Sequence, residues 1–148
     1  MKNPASLPAP EAYFSPGLVY YGEHGYAWDW VTKWTSLDQS VYWDVDVHQA
    51  GQYEVSLQYL CPEGSTGSEV EVNAGNQAVR GGIREATPME PIVMRDVVPR
   101  SEVPKMHWKT MVLGKLQLTA GGTQITVRPV SKPGAVVMDL NRVSLKRV

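Results

Sequence analysis

The stretch Ser40–Leu60, SVYWDVDVHQAGQYEVSLQYL, decides the fold class. In its first half Val41, Trp43, Val45 and Val47 fall on one side, and Tyr42, Asp44 and Asp46 on the other. The break His48-Gln49-Ala50-Gly51 follows. Then Tyr53, Val55, Leu57 and Tyr59 alternate with Gln52, Glu54, Ser56 and Gln58. Successive side chains of a strand point to opposite faces, so this period of two reads as two half-buried strands. The short connection predicts that they form a hairpin with one buried and one wet side. Trp43 belongs with the core valines, and Tyr42 lies on the opposite, solvent side.

The same period recurs on both sides of this stretch. SEVEVNA (Ser68–Ala74) alternates through Val70 and Val72, and Gln77–Arg80 reads as a short partner beyond a turn at Asn73–Asn76. Leu116 and Leu118 alternate with Lys115, Gln117 and Thr119, Gly121-Gly122 turns the chain, and Ile125 and Val127 point inward. A closing strand or two fall in AVVMDLNRVSLKRV (Ala135–Val148). Residues 81 to 105 form a proline-broken excursion with one expected strand near Ile92–Met94; long loops in compact domains are often functional. No segment of helical length keeps a 3.6-residue period with caps. The expectation is an all-β antiparallel β-sandwich over residues 17–148. Residues 1–16, with four prolines, read as a linker or N-terminal extension of a module cut from a longer protein.

Composition narrows the function. The 148 residues are 43% hydrophobic and 20% charged, with 13 glycines, 11 prolines and a net charge of −1. No basic block stands ready to replace phosphate counterions, which argues against nucleic acid as a partner. No apolar run approaches the length of a membrane span. The single cysteine, Cys61, allows no intrachain disulfide and reads as a buried thiol. His24, His48 and His107 lack metal-ligand spacing, and no nucleophile elbow or phosphate loop is present. Asp44 and Asp46 are two carboxylates on one strand face, too close for the opposed pair a glycosidase needs. The expectation is therefore a chain without catalytic residues.

Five tryptophans against one phenylalanine remain to be explained. Trp28, Trp30 and Trp34 fall within seven positions. Three open indoles would expose on the order of 450–750 Å², at or above the ~300–600 Å² of the largest patch on an ordinary monomer. They are either packed or kept for a partner with flat apolar faces, such as a sugar ring. Trp28 and Trp30 fit either role. Trp108, at a strand start after the long excursion, leans toward a ligand because binding residues concentrate on loops.

The order of these motifs resembles carbohydrate-binding modules of families 6 and 35. The Ala50-Gly51-x-Tyr53 turn, the Val55-x-Leu57-x-Tyr59 strand, the segment LGKLQLTAGGTQITVRPV (Leu113–Val130) and the closing VVMDLNRVSL (Val136–Leu145) carry the likeness. The layout is also similar to the non-catalytic accessory domain of bacterial sulfatases and fucosidases. The resemblance implies a galactose-binding-like jelly roll that attaches a secreted, extracellular or periplasmic enzyme to a polysaccharide or other glycan by aromatic stacking. The alternative it implies is a structural accessory domain, packed on the catalytic domain of its parent protein, with no sugar binding of its own. By order, the sugar contacts fall to Tyr42 or a tryptophan of the 28–34 group, to Trp108 and to Asp139. The family often has asparagine at the place of Asp139 and aspartate at that of Asn141. Many members hold a structural Ca2+, for which Glu11 is the only early acid here; a hard cation wants carboxylate oxygens, and the swap at Asn141 removes one.

Overall fold

In the computed structural model, residues 1–22, 25, 29–92 and 105–148 are described. Eleven strands form two antiparallel sheets among these residues. In the first, β3 (Val19–Tyr20), β4 (Val31–Thr32), β11 (Asp139–Arg147), β6 (Gly51–Leu60) and β9 (Lys109–Leu118) lie in that order, and β1 (Ala5–Pro8) also pairs with β11. In the second the order is β2 (Tyr13–Phe14), β5 (Val41–Val47), β10 (Gly121–Ser131), β7 (Glu69–Ala74) and β8 (Gln77–Gly82). The only helical element described is a 3-10 turn, Ala9–Glu11. The expected all-β antiparallel sandwich is what forms.

Its core is built from the faces that alternation picked out. Val41, Trp43 and Val47 of β5 and Tyr53, Val55, Leu57 and Tyr59 of β6 are buried together with Val70, Val72, Leu116, Ile125 and Val127. Trp43 is 2% exposed, and its indole N–H donates to the Pro8 carbonyl at 2.9 Å. Trp34, fully buried, closes one end of the core and donates its Nε1–H to the Gln39 carbonyl at 3.2 Å.

Three expectations need correction. β5 and β6 are not a hairpin: β5 pairs with β10 and β2, whereas β6 pairs with β11 and β9. The same holds for β9 and β10, which pair with β6 and with β5 and β7. Both connections carry the chain from one sheet to the other. Alternation fixes which face is buried but not which strand lies alongside, and two facing sheets satisfy it as well as one hairpin. Each crossing ends on a glycine with positive φ, Gly51 at 154° and Gly121 at 115°, backbone conformations that side chains disfavour. Third, residues 1–16 are folded into the sandwich rather than lying outside it. Ala5 and Leu7 of β1 are buried opposite Leu145 and Val143. An edge position tolerates the flanking prolines because its outer N–H groups need no partner strand.

The excursion after β8 first lies back over the end of β6. Thr87 N–H donates to the Cys61 carbonyl at 2.8 Å, and Cys61 N–H to the Thr87 hydroxyl at 3.0 Å. Burial pushes the Cys61 thiol above its ordinary pKa, so it stays neutral and packs as a core group. The strand expected at Ile92–Met94 falls mostly outside the described residues; Ile92 N–H donates to the Lys105 carbonyl at 2.8 Å. No described helix is long and apolar enough to cross a membrane.

Candidate functional site

Val31 of β4 pairs with Leu140 of β11, and both are fully buried in the core. Their neighbours in sequence must therefore point the other way. This parity sends Trp30, Thr32 and Asp139 to the outer face of the first sheet, at one end. The chain extends the β3–β4 ladder by one bond, Tyr21 N–H to the Trp30 carbonyl at 2.9 Å, which brings Tyr21 to the same face. Leu60 closes β6 opposite Asp139, and Trp108 immediately precedes β9.

These residues form a second small core outside the main one. Trp30 is buried with Leu60 and Met106, and Trp108 packs against them. Tyr21 lies flat on Trp30, with ring centroids 4.3 Å apart and planes 15° apart. Trp108 meets Trp30 edge-on at 5.2 Å and 81°. Both geometries are favourable for aromatic quadrupoles. Trp30 is 1% exposed, whereas Tyr21 is 50% exposed and Trp108 half-buried. Trp30 is the floor, and Tyr21 offers the open flat face.

Polar groups set the floor in place. The Trp30 indole N–H donates to Asp139 Oδ2 at 3.0 Å, and the Thr32 hydroxyl donates to Oδ1 at 2.9 Å. Burial raises the Asp139 pKa; the bonds from Thr32 and Trp30 pull the other way without cancelling it. Asp29, 1% exposed, accepts from the backbone N–H groups of Trp30 (2.8 Å), Gly22 (3.0 Å) and Gly25 (3.2 Å). It ties the chain after β3 to the start of β4. Beside Trp108, Lys109 pairs with Glu85.

The structure brings Trp30, Trp108 and Asp139 together. Trp28 lies outside the described residues. Tyr42 is elsewhere, on the outer face of the second sheet, stacked on Tyr13 with centroids 5.2 Å apart and planes at 22°. Trp30 has no free face for a ligand, because Tyr21 covers it. Tyr21, Thr32 and Asp29 were missed by the sequence reading. The only hint for Tyr21 was an aromatic residue directly before the turn glycine Gly22.

The described residues do not fit a calcium cage. Among the described residues no three acidic, histidine or cysteine side chains converge on one point. Asn141 donates its amide to Gln58 Oε1 at 2.9 Å, and Glu11 is exposed on the 3-10 turn. Asp44 and Asp46 both point to solvent from β5.

Solved structures share this architecture. A family 35 carbohydrate-binding module from Clostridium thermocellum aligns with a TM-score of 0.66 at 11% identity, over 99% of this chain and all of that one. A family 6 module from Cellvibrio mixtus lichenase 5A, in complex with cellotriose, aligns at 0.62 and 12% identity over 99% of both chains. The GH26-CBM35 β-(1,4)-mannanase of Podospora anserina aligns at 0.64 and 14% identity over the whole of this chain, which spans 28% of that enzyme. At such identities the likeness is one of fold. No family model matches the sequence, and no curated protein does.

Proposed function

We propose that this chain is a non-catalytic glycan-binding module that holds a sugar ring against Tyr21 and Trp108 and attaches an extracellular carbohydrate-active enzyme to its polysaccharide. The observation that carries the reading is the exposed Tyr21 ring lying flat on the buried Trp30, with Trp108 and the Asp139 carboxylate beside it. The C–H face of a pyranose is apolar and flat, and it packs on such a ring. The hydroxyls at its rim need hydrogen-bond partners, and a carboxylate accepts them strongly. Asp29 anchors the backbone of Gly22 and Trp30 beneath the platform, and such anchoring lowers the ordering entropy lost on binding. The sandwich fold, shared with modules appended to glycoside-active enzymes, agrees with this role.

The test is a titration of intrinsic tryptophan fluorescence with neutral, acidic and sulfated polysaccharides. The reading expects a saturable change with at least one of them, abolished in Trp108→Ala while the thermal transition persists. A second reading, a structural accessory domain of the kind appended to sulfatases, is favoured by the burial of Trp30, Trp34 and Trp43. Flat titrations across the whole panel, with the protein folded, would select it.

A further inference from the structure

The outer face of the second sheet carries a charged cluster on the opposite side of the sandwich from the Tyr21 platform. Val70 and Val72 of β7 point into the core, so Glu71 between them points outward. It is nevertheless only 6% exposed. The register places Arg80 of β8 on one side of it and Arg128 of β10 on the other, and both arms close over it. Arg80 Nε–H donates to Oε2 at 2.9 Å and Arg128 Nε–H to Oε1 at 3.0 Å, with the Asn73 amide on Oε1 at 3.2 Å. A guanidinium has five N–H donors in a rigid fork. Each arginine gives Glu71 one of them and keeps the rest, on side chains that are 52% and 46% exposed. Two positive charges on one carboxylate leave a positive excess. Arg84 adds a third guanidinium, its side chain lying over Gly82, which stands opposite Glu69 on the same face. Strand pairing, not a basic run in the sequence, brings these groups together.

An aromatic surface lies alongside. Tyr42 of β5 stands opposite Thr126, two residues before Arg128, and is stacked on Tyr13, which is 57% exposed. Diagonal neighbours on adjacent strands are about 7–8 Å apart, within reach of long side chains. We infer that this corner of the second sheet is a second glycan-contact site, where the Arg80–Glu71–Arg128 triad receives a sulfate ester or carboxylate of an acidic polysaccharide while a neighbouring ring rests against the Tyr13–Tyr42 stack. Guanidinium forks match the oxygens of either anion, and Glu71 holds the forks in place before the ligand arrives. Glu69 and Asp44 also face outward on this sheet, Asp44 opposite Gln124, four residues along β10 from Arg128. They repel an anion displaced from the arginines, so the contact is local. The whole chain, with a net charge of −1, offers a polyanion no general attraction.

The experiment titrates the chain at low ionic strength with dextran sulfate, carboxymethyl-dextran and unmodified dextran. The two anionic polymers should bind, the neutral one at least about tenfold more weakly, and added salt should weaken the binding. Arg80→Gln and Arg128→Gln each leave Glu71 one arginine partner, so both should fold, which thermal melts check, and each should weaken binding about fivefold or more. Tyr13→Ala should weaken it about threefold. Lys115→Gln removes the same charge from the outer face of the first sheet and should change it less than twofold, as should Tyr21→Ala. Equal losses in Lys115→Gln and the arginine variants, loss in Tyr21→Ala, or no binding of either anionic polymer overturns this inference and leaves the Tyr21 reading standing. Unchanged binding in Tyr13→Ala overturns the ring contact. An oligothymidylate of matched charge that binds more tightly than both polymers overturns the assignment to a glycan.

Discussion

Replacing Asp29 by alanine isolates what holds the candidate site together. The carboxylate is 1% exposed and accepts three backbone N–H groups at 2.8, 3.0 and 3.2 Å. Hydrogen bonds to a charged group contribute about 1.5–3 kcal/mol each, and an orphaned buried donor costs about 1–3 kcal/mol. The Gly22 and Gly25 amides are only partly buried and water can reach them, whereas the Trp30 amide is buried and stays unpaired. The expected loss is therefore about 2–4 kcal/mol, less than the sum of three bonds. At about 3 °C per kcal/mol for a chain of this size, the melting temperature should fall by roughly 6–12 °C. Asp29→Asn keeps one acceptor oxygen for Trp30 and Gly22 but turns an N–H₂ toward Gly25, and should lose about half as much. Urea denaturation gives the free energies, and amide hydrogen exchange locates them. Protection at Gly22, Gly25 and Trp30 should drop in the alanine variant well before that of β6 or β10. A variant within about 0.5 kcal/mol of the parent, the range of ordinary surface changes, with unchanged Trp30 protection, would refute the anchoring role.

Other changes probe the core and the second sheet. Trp43→Ala removes a 2%-exposed indole and its bond to Pro8, and should cost about 3–5 kcal/mol in urea denaturation; a neutral result would overturn the face assignment of β5. Glu71 tests a pH-dependent contribution. Burial alone would raise its pKa, but bonds from Arg80 (2.9 Å), Asn73 (3.2 Å) and Arg128 (3.0 Å) outweigh that and leave it lowered. A folded-state value below the unfolded one means that the unfolded chain takes up the proton first. The stabilisation is present above the unfolded value and is lost as pH falls through the folded one. The stability gap between the parent and Glu71→Gln should thus be widest near neutrality and close in acid; a gap independent of pH would contradict the ion-pair account.

Much of the fold was legible because burial on one face imposes a period of two. Val41, Trp43, Tyr53, Val55, Leu57 and Tyr59 declared their faces in the sequence. What alternation could not encode was the neighbour of each strand, so the sheet-crossing corner at Gly51 read as a hairpin and the one at Gly121 as a plain turn. β1 went unseen because the three residues between Pro4 and Pro8 carry only Ala5 and Leu7 as an inward signal. The site was half legible. Trp30, Trp108 and Asp139 were singled out in the sequence, and the structure brings these three side chains together. Tyr21 gains its meaning only from a cross-strand partner nine residues on, and Asp29 only from a loop closed on its carboxylate. Tyr42 was set on the solvent side of its strand correctly, yet that side belongs to the other sheet.

The most direct measurement is calorimetric titration of the parent and of Tyr21→Ala with the neutral polysaccharide that the parent binds. Tyr21 is half exposed, so its removal should leave the melting temperature within a few degrees. Affinity should fall by at least about tenfold, or about 1.4 kcal/mol. Unchanged affinity in Tyr21→Ala would contradict the claim that the open tyrosine face over Trp30 receives the sugar.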